Sequence, residues 1–100
     1  MEVLSLKNMK KLSEVKLQVI SILSEIRPEY DFSQDLNFIE EGMLDSLDIV
    51  TLVTGLDEKF SISIDGKDII PENFLSLELI VNLLKKKGVR IWTWNLKIKK

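Results

Sequence analysis

Apolar residues recur with helical spacing in three separate stretches of the chain. From about Met9 to Ile26, Leu12, Val15, Val19, Ile22 and Ile26 fall at three- and four-residue steps, with Ile20 and Leu23 widening the stripe. That period lets an α-helix bury one face, and Pro28 stops it by restricting Arg27. A second helix is predicted from Ser46 to Phe60, with Leu47, Val50, Val53, Leu56 and Phe60 on one side and Ile49 and Leu52 beside them. Its apolar sector is broad enough to leave part exposed for a partner, with Met43, Leu47 and Thr54 the expected exceptions to burial. A third helix follows Ser76, turns Leu77, Ile80, Val81 and Leu84 inward, carries Lys85, Lys86 and Lys87 at its negative end and closes at Gly88.

The connections differ in character. Tyr30 to Leu44 mixes turn formers (Asp31, Ser33, Asp35, Asn37, Gly42) with apolar anchors (Phe32, Leu36, Phe38, Ile39, Leu44), which predicts a long loop pinned to the core. Loops of this length in a small domain are functional or otherwise constrained, and this one delivers the chain to Ser46. Ser61-Ile62-Ser63-Ile64 alternates but is too short for a sheet, and reads as an extended connector. Asp65-Gly66-Lys67 is a turn, with Asp68 placed to cap a short helical turn over Pro71 to Phe74. Beyond Gly88, Trp92, Trp94, Leu96 and Ile98 alternate as in a strand, with no obvious strand to pair with. The expected fold is all-α, a small bundle of three to four helices with a long loop between the first and second. Residues 1–8 are expected to be an N-terminal extension, since Met9 would serve equally well as a start, with the domain over 9–88 and a tail over 89–100.

One hundred residues support one modest core. The net charge of −2 points to no nucleic-acid partner. The distribution says more: Asp31, Asp35, Glu40, Glu41, Asp45, Asp48, Asp57 and Glu58 occupy a stretch with no Lys or Arg, so a partner docking around Ser46 is expected to be basic. The chain has no cysteine and no histidine. It therefore lacks a thiolate, the commonest neutral-pH base and the commonest metal ligand. A hydrolase built on Ser46 would have no histidine base, so a binding or carrier role is favoured over self-contained catalysis. No apolar run reaches the length of a membrane span and the N-terminus is unlike a secretory signal; a cytoplasmic monomer is expected.

The candidate chemistry lies at Asp45-Ser46. Either residue can cap the second helix by accepting from its unpaired first-turn N–H groups, and the positive end of the helix dipole favours a phosphate at Ser46.

The stretch from Asp35 to Phe60 resembles the acyl carrier protein family, whose signature is Asp-Ser-Leu at the start of the second helix. Phe38-Ile-Glu-Glu-Gly-Met-Leu-Asp45-Ser46-Leu47 is similar to its approach loop, and Leu56-Asp57-Glu58-Lys59-Phe60 with Ile62-Ser-Ile64 to its exit from that helix. With the flanking helices the resemblance covers about Leu12 to Gly88. It implies a covalent 4′-phosphopantetheine on Ser46, installed by a phosphopantetheinyl transferase, whose terminal thiol carries an acyl group as a thioester. It implies that Asp45 helps position the metal or the serine in the transferase complex. Asp48, Asp57 and Glu58, with Leu47, are expected to form the face shown to partners. Met43, Val50, Thr51 and Ile64 complete the expected partner-binding set.

Details depart from the common fatty-acid type. Met43 and Leu44 both separate Gly42 from Asp45, where that type has one residue, and Thr51 stands where it has an acid. The Gly-x-Leu-Asp-Ser spacing and the Pro71-Glu72-Asn73-Phe74 segment are more similar to stand-alone aminoacyl carriers, including D-alanyl carrier proteins, which work with an adenylating ligase and an acyltransferase. A fatty-acid or polyketide carrier working with a synthase is the alternative. From a different class, an unmodified helical interaction module would share the fold, which does not by itself fix function.

Overall fold

The computed structural model describes residues 10–89 together with 91 and 92. The expected extension 1–8, and Trp94, Leu96 and Ile98 of the tail, lie outside the described residues. In chain order the elements are β1 (Lys10–Lys11), α1 (Leu12–Ile26), α2 (Ser46–Phe60), two 3-10 turns (Gly66–Asp68 and Pro71–Phe74), α3 (Leu77–Lys86) and β2 (Ile91–Trp92). This is the all-helical bundle that the periodicity predicts. α1 starts at Leu12 rather than Met9, because Lys10 and Lys11 are extended and pair in parallel with Ile91 and Trp92. The partner strand that the sequence hid for Trp92 is therefore the lead-in to α1. Among the described residues no helix is long and apolar enough to cross a membrane.

The core draws on every helix: Val15, Val19 and Leu23 from α1, Ile49, Leu52, Val53 and Leu56 from α2, and Ile80, Val81, Leu83 and Leu84 from α3. The broad apolar sector of α2 is left partly exposed, as expected: Val53 and Leu56 are buried, Leu47 is outside the core, and Val50 joins it there. Leu47 and Val50 are 76% and 57% exposed, while Ile49 and Leu52 are buried. The apolar sector of α2 is wider than the contact available to it, so packing against α1 selects one flank and leaves the other in solvent.

Loop 27–45 is anchored in that core as its apolar residues predict. Phe32 and Phe38 are fully buried and meet edge to face, with centroids 5.1 Å apart; burying each is worth roughly 1.5–3 kcal/mol. The Asn37 carboxamide oxygen accepts from the N–H groups of Ile39 (3.1 Å) and Glu40 (2.9 Å) and starts a tight turn. Gly42 completes it at φ +74°, a conformation costly for a side chain with a Cβ. The N–H groups of Met43 and Leu44 then return to the Phe38 carbonyl at 2.8 and 3.1 Å. Met43 is thereby turned inward, 4% exposed, and is not an exception to burial.

On the far side, Asp68 does not cap the Pro71–Phe74 turn, which has no side-chain cap. Asp68 instead accepts from the Lys87 ammonium at 2.7 Å, and Asp65 does so at 3.0 Å, tying the end of α3 to the first 3-10 turn. Ser76 caps α3 as expected, its hydroxyl accepting from the Leu79 N–H at 3.2 Å.

Gly55 sits where α1 and α2 approach: a Cβ there would lie 2.9 Å from Ile22 Cγ2. That methyl hangs directly on a β-branched carbon and has little freedom to move. Gly55→Ala should therefore be destabilising by about 1 kcal/mol, the overpacking cost outweighing the gain in helix propensity. Chemical unfolding checks this, and combining the change with Ile22→Ala should cost less than the sum of the two single losses by about 1 kcal/mol.

Candidate functional site

The site is built on the way α2 begins. Ser46 is its first residue and is exposed. Asp45, in extended conformation (φ −120°, ψ −175°), is the N-cap. Its Oδ1 accepts from the Asp48 N–H at 2.9 Å, and Asp48 Oδ2 accepts from the Asp45 N–H at 3.0 Å. This reciprocal pair satisfies two backbone donors that the start of a helix would leave unpaired. Ser46 and Leu47 lie between its two ends, so their backbone is held while the Ser46 hydroxyl stays at the surface.

A residue that sequence reasoning did not single out completes the arrangement. Arg27, just past α1, donates through Nε to Asp48 Oδ2 at 2.9 Å. Its two Nη groups reach Asp45 Oδ2 and Glu29 Oε2, each at 3.4 Å. The one signal for it was position, since Arg27 is the last cation before the acidic stretch.

Of the expected partner-binding set, Leu47, Val50, Thr51 and Glu58 are exposed along one side of α2, leading away from Ser46. The Thr51 and Thr54 hydroxyls turn back to the Leu47 and Val50 carbonyls, each at 3.2 Å, which leaves a largely apolar strip. Asp57 is half-buried and its Oδ1 accepts from the Ile64 N–H at 3.0 Å, which fixes the exit from α2. The Asp48 side chain is only 13% exposed. Two expectations are corrected outright: Met43 and Ile64 are core residues, 4% and 6% exposed, and present no surface to a partner.

A protein named acyl carrier protein from Helicobacter hepaticus (strain ATCC 51449 / 3B1) is 45% identical over 58 residues, covering 54% of this chain and 68% of the relative. The chain belongs to the acyl carrier protein family. A carrier role in general follows from that membership. Comparison with family models and with solved structures gives no match.

The electrostatics of this acyl carrier protein centre on the same groups. The Asp48 backbone N–H, and beyond it the Arg27 charge, hold the Asp45 carboxyl below its ordinary value. The Arg27 guanidinium is pushed up, first by its hydrogen bond to Asp48. Asp68 is lowered by the Lys87 ammonium. For both carboxylates the folded value lies under the unfolded one, so the unfolded chain binds more protons in that interval. Their stabilising effect is present at neutral pH. It is lost as the pH falls through the ordinary carboxylate range, about 3.9, toward the lower folded values. Urea unfolding of the carrier should show this decline on acidification, and Asp68→Asn should flatten it while lowering stability at neutral pH.

Proposed function

We propose that Ser46 is the attachment site of a covalent 4′-phosphopantetheine arm, on which the protein holds an acyl or aminoacyl group as a thioester for delivery to partner enzymes. The observation that carries this is an exposed hydroxyl at the first residue of α2, on a chain without a cysteine. The residues fit the group: Ser46 is reachable, its backbone is held by the Asp45–Asp48 pair, and the positive end of α2 suits a phosphodiester. When attached, the arm supplies the thiol that the chain lacks.

Ser46 is the nucleophile of the priming step. Its Oγ forms a bond to the phosphorus of coenzyme A that bears the pantetheine, the pyrophosphate P–O bond breaks, and adenosine 3′,5′-bisphosphate leaves. The hydroxyl proton passes to a base of the transferase, which also brings Mg²⁺. Asp45, with its side chain 60% exposed, stands beside that hydroxyl to position the metal or the serine in the complex. Leu47, Val50, Thr51 and Glu58 form the surface offered to the transferase, to an adenylating ligase and to a downstream acyltransferase or synthase.

The cargo is read as an aminoacyl group, of the D-alanyl type, from the Gly42-Met43-Leu44-Asp45-Ser46 spacing and the Pro71–Phe74 turn. Among the described residues, one surface cleft is lined by Lys16, Ser33, Gln34, Asp35, Leu77 and Glu78 and another by Ser21, Ile22, Glu25, Gly55, Glu58 and Lys59, a mostly polar lining that suits a short polar group better than a long alkyl chain.

Incubation with coenzyme A, Mg²⁺ and a broad-range transferase should raise the intact mass by one arm, and Ser46→Ala should abolish the rise. No gain, or a gain that persists in the variant, overturns the reading. The mass of the loaded arm from the native host separates an amino acid from a fatty acyl group. Leu47→Asp and Val50→Asp should each raise the KM for priming about tenfold, equal to about 1.4 kcal/mol of docking. Their melting temperatures should stay near that of the parent, because neither side chain is in the core.

A further inference from the structure

We infer that Arg27 is a positioning residue for the chemistry at Ser46, acting through Asp48, and that Asp48 belongs to this internal clasp instead of the surface offered to partners. The chemical half rests on the reading of Ser46 given above; the structural half does not.

Asp48 Oδ2 already serves two donors, the Asp45 N–H at 3.0 Å and Arg27 Nε at 2.9 Å. With both in place and 13% of the side chain exposed, it has little left to offer a partner. The Arg27 N–H still bonds to the Leu23 carbonyl at 2.9 Å, so the guanidinium projects from the end of α1. It thus fastens the end of one helix to the beginning of the next, across the whole of loop 27–45. No Lys or Arg occurs from Pro28 through Glu58, so no cation in that span can replace it.

The contacts of Arg27 are graded. The inner one to Asp48 is short, whereas those to Asp45 and Glu29 are 3.4 Å and end on side chains 60% and 54% exposed. Exposed contacts of this kind are weak. A transferase can therefore draw Asp45 Oδ2 away while the Nε contact keeps the start of α2 in place. A lysine would bring one compact charge but not the fork that spans two carboxylates.

The test uses the unprimed protein first. In Arg27→Gln, amide hydrogen exchange at Asp45 and Asp48 should quicken about tenfold, while Ile80, in the first turn of α3, stays at the parent rate and reports an intact fold. Priming should then show kcat reduced about tenfold with KM within about twofold. Asp48→Asn should behave alike, and the double variant should be no worse than either single one. Arg27→Lys should recover part of the kcat. A docking role for Asp48 predicts the opposite in KM: freeing it by Arg27→Gln would lower KM, and Asp48→Asn would raise it. That result, or unchanged exchange at the start of α2, overturns the proposal. If the parent itself is not primed, the reading of Ser46 falls while the exchange data still decide the clasp.

Discussion

A helix that begins at a protein surface leaves its first backbone N–H groups without partners, and everything attached to that first turn inherits the resulting looseness. In this acyl carrier protein the first turn of α2 is closed by two aspartates that exchange side-chain and backbone bonds, with a guanidinium from α1 gripping the inner one. The constraint is local, yet it decides the presentation of Ser46. A serine at the head of a helix can lean back to cap it; here Asp45 does the capping, and the hydroxyl need not be spent on the backbone.

The loop before the site is built to deliver the chain at that angle. Loop 27–45 has almost no repetitive structure, so its backbone would gain little from being ordered were it not nailed down by Phe32, Phe38 and Leu44. The Phe38 carbonyl accepts two N–H groups and its own N–H reaches Leu75 at 2.7 Å. One residue thus joins the approach to Ser46 with the segment that leads into α3. The distant Lys87 contacts with Asp65 and Asp68 do for the second long connection what Arg27 does for the first.

These features differ in how plainly the sequence declares them. The bounds of α2, Ser46 and Phe60, were legible because capping residues and a strong period mark them. The flank of α2 that packs was not, since a period states that one side is apolar without stating where a neighbour lies. Leu47 shares the apolar side of α2 with Val53 and Leu56, yet its place at the helix start marks it as an exception to burial, which it is; nothing in the period sets Val50 apart from Val53 in the same way. Met43 and Ile64 went the other way: Met43 follows the Gly42 turn and Ile64 stands between Ser63 and Asp65, and only the returns to Phe38 and Asp57 show that they point inward. Arg27 was invisible for another reason, as its partners are 18 and 21 residues away and no local rule pairs them. The β1–β2 pairing was hidden likewise, being made between the two ends of the described chain.

The acidic stretch consequently divides into two groups that the charge pattern alone treats as one. Asp48 and Asp57 are engaged by the protein's own donors and largely withdrawn from solvent, whereas Asp45, Glu40, Glu41 and Glu58 are exposed, Asp45 even while its Oδ1 caps α2. Both groups add to the field felt by an approaching basic partner, because over distances near the Debye length, about 8 Å, a carboxylate need not be in contact to attract. Contact is another matter, since a charge already held by short hydrogen bonds exchanges one partner for another at little gain. On the proposed reading, steering belongs to the whole stretch, while the specificity of the docked state falls to the exposed acids and to the apolar strip begun by Leu47 and Val50. On the same reading, an acid that braces the start of α2 from within is distinct from one that meets a partner from without, and their side-chain exposures, 13% for Asp48 against 60% for Asp45, tell them apart.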